Sequence, residues 1–310
     1  IEFHPAYREM ERIGYGEFGI HCMSRRPGAL GWPDKVPSAA KYVFTYLFVQ
    51  AEFGLMCPIS LTDTSAMLID RYADPALKAE FLPRLHSQDM GRLFKCAQFM
   101  TEKPAGSDVG NVKLEARFED GQWRLYGEKW FCSSADADLA LLLARPIGAP
   151  AGGKGLAIFL LPRVTRDGTR NAYRVIRLKS KLGTKSMASG EIVFDGAVAY
   201  PLGDVGAREN PGLKQMLDQV NLSRLSHAVR AAGMMRRCWN EAMAVARARH
   251  AFGGAILRKP LLRRQLTKIL LPTEQALTMM LHAASQLDRA EAGDARARQP
   301  PAPGDHRPAG

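Results

Sequence analysis

Phe94-Lys95-Cys96-Ala97-Gln98-Phe99-Met100-Thr101-Glu102-Lys103-Pro104-Ala105-Gly106-Ser107-Asp108, followed some twenty residues later by Tyr126-Gly127-Glu128-Lys129-Trp130-Phe131-Cys132-Ser133, decides the fold of this chain. The first stretch runs like a strand as far as Met100 and then enters a turn of small residues. Such a turn leaves backbone amides and the Thr101 and Ser107 hydroxyls able to face an anionic or heteroaromatic ligand. The second reads as a hairpin strand that ends in two aromatics followed by hydroxyls. Taken alone, Trp130 and Phe131 are more readily core residues than the wall of a cofactor site.

Outward from these segments the texture stays β-like. Short apolar or alternating runs at 112–118, 123–126, 139–144, 155–161, 173–178 and 191–194 are separated by turn residues, a spacing that predicts an antiparallel sandwich or barrel. Asp120-Gly121 between the first two runs is a two-residue hairpin signal. On the N-terminal side, from Ser38 to Leu93, Ala, Leu, Met and Phe recur at helical spacing, broken by Pro58, by an Asp74-Pro75 step that could open a helix, and by Pro83. On the C-terminal side the helical period returns at Gly212, with Leu213, Met216, Leu217 and Val220 on one face and Met234, Met235, Trp239 and Met243 continuing it, so two or three long helices are expected. The chain therefore reads as α+β and multidomain: a helical region at 1–93, a β-domain at 94–207, a helical domain at 208–288 and a disordered tail at 289–310, which has no Val, Ile, Leu, Met or aromatic residue but four prolines.

Composition bounds the function. A 310-residue chain that is 46% hydrophobic can bury a core, which excludes a disordered or fibrous protein. The net charge of +12 makes an anionic partner plausible: a nucleotide, CoA, nucleic acid or a membrane surface. Residues 208–288 carry thirteen Lys/Arg against five Asp/Glu, so most of that charge sits there. Cys22, Cys57, Cys96, Cys132 and Cys238 form no C-x-x-C pair and no metal-ligand spacing with His, which reads as reduced thiols in a cytoplasmic protein without a metal. The longest apolar runs fall far short of the ~18 residues needed to cross a bilayer, and no membrane association is expected.

Two glycine motifs invite a phosphate reading and fail it on context. Gly14-Tyr15-Gly16-Glu17-Phe18-Gly19 fits G-x-G-x-x-G, but no apolar strand precedes it and no kinase motif follows, so it reads as an ordinary flexible turn. Gly148-Ala149-Pro150-Ala151-Gly152-Gly153-Lys154 nearly spells a P-loop, yet Gly155 stands where Ser or Thr must bind magnesium, and a mobile hairpin loop is the better reading.

Together and in order, the two opening segments resemble the acyl-CoA dehydrogenase family. Met100 to Asp108 resembles that family's T-E-x-x-x-G-S-D flavin loop, and Gly127-Glu128-Lys129-Trp130-Phe131 its G-x-K-x-[WF] strand. The resemblance implies a helical N-terminal part, a middle antiparallel β-sandwich or barrel and an incomplete C-terminal helical bundle. It also implies FAD, with Met100 and Thr101 contacting the flavin ring, Gly106 giving room to Ser107 on the pyrophosphate, and Phe131 and Ser133 beside the isoalloxazine. Donors near a flavin stabilise charge on its reduced form, and an aromatic wall excludes water. Arg249-His250-Ala251-Phe252-Gly253 resembles the family's R-x-x-F-G, where the Arg and Phe reach a neighbouring subunit's FAD. This implies a dimer or tetramer and, at a separation of three, Arg249 and Phe252 on one face of a helix end. Arg224 matches the helix arginine that contacts an acyl-CoA thioester.

Within the family the chain resembles the adaptive-response, AidB-like branch, through Glu2-Phe3-His4-Pro5-Ala6-Tyr7, Cys57-Pro58-Ile59 and Leu178-Lys179-Ser180-Lys181-Leu182-Gly183. The implied activity is α,β-dehydrogenation of an acyl-CoA, with an electron-acceptor flavoprotein as a partner. The family's glutamate base lies either in a C-terminal E-G motif, not found here, or immediately before the helix arginine, where this chain has Ser223. The base is thus unassigned, Glu241 and Glu274 read as solvated helix residues, and the expectation is a shortened, catalytically impaired member. The alternative is a non-enzymatic, DNA-binding flavoprotein of the alkylation-damage response, for which the basic 208–288 region is the local support.

Overall fold

The computed structural model describes residues 1–206 and 209–293. Four helices come first: α1 (Pro5–Glu11), α2 (Ser38–Val49), α3 (Met56–Tyr72) and α4 (Pro75–Leu85). The Asp74-Pro75 step does open a helix: Pro75 occupies its first turn, where its missing N–H costs nothing, and the Asp74 carboxylate accepts from the Leu77 amide at 2.9 Å. Pro58 and Pro83 do not break helices as expected. Pro58 falls in the first turn of α3, where a proline is tolerated, and Pro83 lies inside α4 two residues before its end, where it removes a helical hydrogen bond without stopping the helix. The Gly14–Gly19 segment is not a flexible turn either, because Arg12–Glu17 forms a π-helical turn that buries Gly14 and Tyr15.

Seven strands follow, β1 (Cys96–Phe99), β2 (Glu115–Glu119), β3 (Gln122–Ser133), β4 (Leu139–Pro146), β5 (Ala157–Pro162), β6 (Tyr173–Leu178) and β7 (Ser189–Pro201). They pair in the order β1-β4-β2-β3-β7-β5, with β6 on β7, and β5 returns to β4, so the sheet closes on itself as a barrel. Closure removes most exposed strand edges. The hairpin at Asp120-Gly121 has both residues at positive φ (50° and 76°), the backbone a two-residue turn requires, and it pairs Glu119 with Gln122. Gly148–Lys154 lies in the turn of the antiparallel β4–β5 hairpin, as expected.

The expectation of purely antiparallel pairing is corrected. β1 runs parallel to β4, from Cys96 beside Leu139 to Phe99 beside Leu142, and β2 meets β4 in parallel over two residues. The connection between β1 and β4 is long enough for the crossover that parallel neighbours demand. Residues 139–144 and 157–161 are buried on both faces, with α3 and α4 contributing Leu68, Ile69, Leu77 and Phe81 to the same core. That explains why these strands read as unbroken apolar runs.

Two long helices complete the chain, α5 (Gly212–Ala248) and α6 (Pro260–Glu291), linked through a short hairpin of β8 (His250–Ala251) and β9 (Gly254–Ala255). The part of the expected tail from residue 294 onward lies outside the described residues. The chain forms two compact units: Ile1–Lys35 with Glu52–Arg224, and Val36–Ala51 with the chain from Leu225 onward. In the first, the N-terminal part of α5 turns a largely polar face inward. Gln215, Gln219 and Ser223 are buried beside Met216, whereas Leu217, expected on the apolar face, is exposed. The reason is local, because Gln219 donates to the Thr64 and Ser65 hydroxyls at 3.1 and 3.0 Å. In the second unit α2 packs on α6, and the Asp288 carboxylate accepts from the Ser38 and Ala39 amides at 2.5 and 2.9 Å, capping the first turn of α2.

Candidate functional site

The two segments quoted first lie against each other. β3 donates the Trp130 amide to the Thr101 carbonyl at 2.8 Å, and the Lys129 ammonium reaches the Met100 carbonyl at 3.1 Å and Glu102 Oε1 at 2.7 Å. Both partners of this ion pair are buried, at 0% and 4% side-chain exposure. Glu102 also accepts from the Lys113 and Leu114 amides at 2.7 and 3.2 Å, so its carboxylate holds three donors. Burial pulls the Lys129 ammonium below its ordinary pKa, and Glu102 opposes that shift without cancelling it. Glu102 and Lys129 were not singled out as site residues from the sequence, although each stands inside a quoted motif. They are the positioning pair that seats the Thr101 loop on β3.

Beyond Glu102 the loop closes through reciprocal backbone bonds between Glu102 and Ala105 (3.2 and 3.1 Å) and an Asn111 amide donated to the Pro104 carbonyl at 3.1 Å. Gly106 and Ser107 then stand exposed, and their amides reach no acceptor among the described residues. A Cβ added at Gly106 would meet nothing within 4 Å, so the protein itself does not require glycine there.

A β-bulge decides which way the aromatics point. Lys129 pairs with Ile192 but Cys132 with Gly190, so Trp130 and Phe131 together oppose a single residue of β7. Simple alternation would have sent Phe131 inward with Lys129. The extra residue flips it, leaving Cys132 buried and Phe131 half exposed at 50% with Ser133 partly exposed near it. The neighbouring Trp130 ring lies edge-on to Phe131, and cations surround the pair: Lys179 sits 3.0 Å from the Trp130 centroid and 4.7 Å from that of Phe131, and Lys103 4.6 Å from Trp130. Glu191 anchors Lys179 at 2.7 Å.

The structure therefore brings Met100, Thr101, Phe131 and Ser133 into one neighbourhood, with Gly106 and Ser107 at the far end of the same loop. Arg224 lies on an exposed face of α5, its guanidinium bonded to Asn221 Oδ1 at 3.0 Å, one residue beyond buried Ser223. Arg249 and Phe252 belong to the second unit, and the expectation that they share a helix face is corrected. α5 stops at Ala248, and Phe252 and Gly253, at φ 53° and 78°, form the two-residue turn of the β8–β9 hairpin. Gly253, free to adopt positive φ, supplies the turn chemistry of that hairpin. Phe252 stands at the tip, 86% exposed. Glu241 and Glu274 are engaged with Arg237 and Arg236 and largely exposed, as read.

This fold and motif arrangement is that of a known family. The AidB N-terminal domain matches residues 1–91, the acyl-CoA dehydrogenase middle domain residues 97–197 and the acyl-CoA dehydrogenase C-terminal domain residues 210–299. The chain belongs to the acyl-CoA dehydrogenase family, with an AidB-type N-terminal domain. It is 34% identical over 285 residues to acyl-CoA dehydrogenase family member 11 of Caenorhabditis elegans, covering 88% of this chain and 46% of that protein. It is 32% identical over 301 residues to AidB of Escherichia coli (strain K12), covering 93% and 52%. The crystal structure of C. elegans ACDH-11 in complex with C11-CoA superimposes with a TM-score of 0.82 at 30% identity, covering 94% of this chain and 49% of that one. The chain spans about half the length of the curated relatives it matches.

Proposed function

We propose that this chain is the FAD- and thioester-binding part of an acyl-CoA dehydrogenase-type oxidoreductase. The observation that carries the reading is the locked pair of segments: a buried Glu102–Lys129 ion pair seats the Thr101 loop on β3, and the adjacent bulge turns Phe131 and Ser133 outward beside it. The donor set fits a flavin nucleotide. Phe131 offers a flat, half-exposed face, Thr101 and Ser133 offer hydroxyls near it, and Gly106 and Ser107 present unused amides on an exposed loop suited to a pyrophosphate. Bound FAD would supply the two-electron acceptor. Phe131 excludes water from one side, Thr101 and Ser133 orient the ring by hydrogen bonds, and the cations around Trp130 and Phe131 favour an anionic ligand.

The similarity to a protein crystallised with C11-CoA supports an acyl-CoA as substrate, with Arg224, exposed on α5, as its contact. A glutaryl-CoA dehydrogenase of the same fold, crystallised with FADH2, supports the cofactor. Arg249, just before the β8–β9 hairpin, and Phe252, at its exposed tip, are read as serving the flavin of another subunit, which implies a homodimer or tetramer. No described carboxylate is assigned as the base. The DNA-binding alternative has only charge behind it, and part of that charge is used internally: Arg236 and Arg237 are paired with glutamates, and Arg230 is buried.

The test is the visible spectrum of the purified chain with FAD added, followed by anaerobic titration with acyl-CoAs. Retained yellow FAD whose spectrum shifts when an acyl-CoA binds is the expected result, and Phe131→Ala and Ser133→Ala should each weaken FAD retention while leaving the far-UV circular dichroism unchanged. A chain that takes up no FAD overturns the cofactor reading. Bound FAD whose spectrum no acyl-CoA alters overturns the thioester reading.

A further inference from the structure

A cleft opens on the barrel at the end of β3 remote from Phe131. Its volume is about 600 Å³, inside the range of small-molecule sites. Trp123 and Arg124 line it, and eight residues of extended strand separate Trp123 from Phe131, about 25 Å at the usual rise.

Its walls are built rather than incidental. On β3 and β7, Trp123 pairs with Ala199 and Arg124 with Val198. The β5–β6 connection covers this register and is clamped to it by Asn171, whose side chain donates to the Pro162 and Val198 carbonyls at 2.7 and 2.8 Å and accepts from the Ala172 and Val198 amides at 2.9 Å. Asn171 is 3% exposed, so all four bonds are sheltered from water. Within the connection, Asp167 is the one carboxylate lining the cavity, and it is occupied by the Thr165 and Thr169 hydroxyls and the Thr169 amide.

The lining carries an excess of positive charge, three arginines against Asp167 and the Glu80 partner of Arg166. Of the three arginines, Arg166 is taken, paired with Glu80 at 2.6 Å and stacked 4.5 Å from the Tyr200 centroid. Arg124 donates only to the Gly196 carbonyl at 3.2 Å, and Arg170 lies over Tyr173 at 5.4 Å. Neither has a carboxylate within ion-pair distance among the described residues. Two guanidinium forks without a paired carboxylate, facing a solvent-open cleft, are a phosphate-type recognition set. Trp123, partly exposed and braced by Phe118 and Phe159 at 5.4 Å each, adds with Tyr200 an aromatic surface that a bare anion would not use.

We propose that this cavity binds a nucleoside diphosphate, with its phosphates on Arg124 and Arg170 and its base against Trp123 and Tyr200. The site is separate from the flavin and thioester reading and does not depend on it.

The experiment is calorimetric titration of ADP into the full chain with saturating FAD present, so that ADP cannot report the flavin loop, paired with tryptophan fluorescence. Saturable one-to-one binding that quenches fluorescence is expected. The double variant Arg124→Gln/Arg170→Gln should weaken it at least about tenfold with unchanged circular dichroism and thermal midpoint. Arg170→Gln alone, at an exposed position, should weaken it less and guards against misfolding of the double variant. Absence of saturable binding, or equal affinity in the folded variants, overturns the proposal. Pyrophosphate binding as tightly as ADP overturns the base contact, and a short oligonucleotide that displaces ADP at lower concentration reassigns the site to nucleic acid.

Discussion

The two units place their motif residues under opposite physical regimes. In the first, the Thr101 loop is seated by a buried ion pair, a carboxylate with three donors and a strand bulge, so its ligand-facing groups are held before any ligand arrives. In the second, Arg249 stands just before a six-residue hairpin, and Phe252 at its almost fully exposed tip, tethered by Lys259 donating to the Phe252 carbonyl at 2.8 Å. The difference teaches that the motif residues here divide by task. The Thr101 loop is seated by buried partners beneath it, whereas Phe252, read as reaching a second subunit, stands at the surface with little packed against it.

The largest effect that would break this contrast is at the ion pair. Lys129→Met leaves the Glu102 carboxylate buried without its cation, and about 3–5 kcal/mol of stability should be lost. Urea unfolding of the single variants against Glu102→Gln/Lys129→Met checks it: the double variant should be less damaged than the sum of the singles, and strict additivity would mean that the pair does not act as a unit.

A second effect, also confined to the first unit, is with pH. His21 is fully buried, and burial pushes its pKa down to about 3. The unfolded chain, near 6.5, then binds more protons, so this histidine's contribution is fully present above pH 6.5 and falls by about 1.4 kcal/mol per pH unit between 6.5 and 3. His21→Phe should flatten the pH dependence of the urea midpoint over that window.

Smaller still is the cap on α2. Asp288→Ala removes the acceptor for the Ser38 and Ala39 amides and should cost about 1 kcal/mol, read as a lower thermal midpoint. The smallest is the one that sharpens the comparison: Phe252→Ala should change stability by less than about 0.5 kcal/mol while lowering FAD retention. A large destabilisation would show that the hairpin tip is structural after all.

Local chemistry made several elements legible. Asp120-Gly121 specified its hairpin because both residues tolerate positive φ, Asp74-Pro75 specified a helix start, and residues 173–178 are the strand that their alternation indicated. Periodicity failed on α5, where Leu217 faces outward and Gln219 inward, because the Thr64 and Ser65 hydroxyls on α3 accept from the buried Gln219 side-chain amide nitrogen. It failed again at Arg249 and Phe252, where spacing of three was read as a helix face although α5 stops at Ala248 and Phe252 lies in the turn of a hairpin.

The candidate site was half visible. Met100, Thr101, Phe131 and Ser133 could be named from motif order, but their support could not. The Glu102–Lys129 pair joins residues 27 apart, and the bulge that exposes Phe131 exists only relative to β7. Asp288 caps a helix 250 residues away, a contact no local window contains.

The amino-acid sequence by itself determined the order of helical, β and helical regions, the hairpin turns and the family, since these rest on short-range propensity and on motifs read in series. The tertiary structure alone decided the closure of the barrel, the parallel pairing of β1, the outward turn of Phe131, the buried keystone beneath the Thr101 loop and the arginine-lined cavity at the far end of β3. Each of these depends on which distant strand or helix supplies a hydrogen bond, a counter-charge or a missing partner, and that is settled only when the chain has folded.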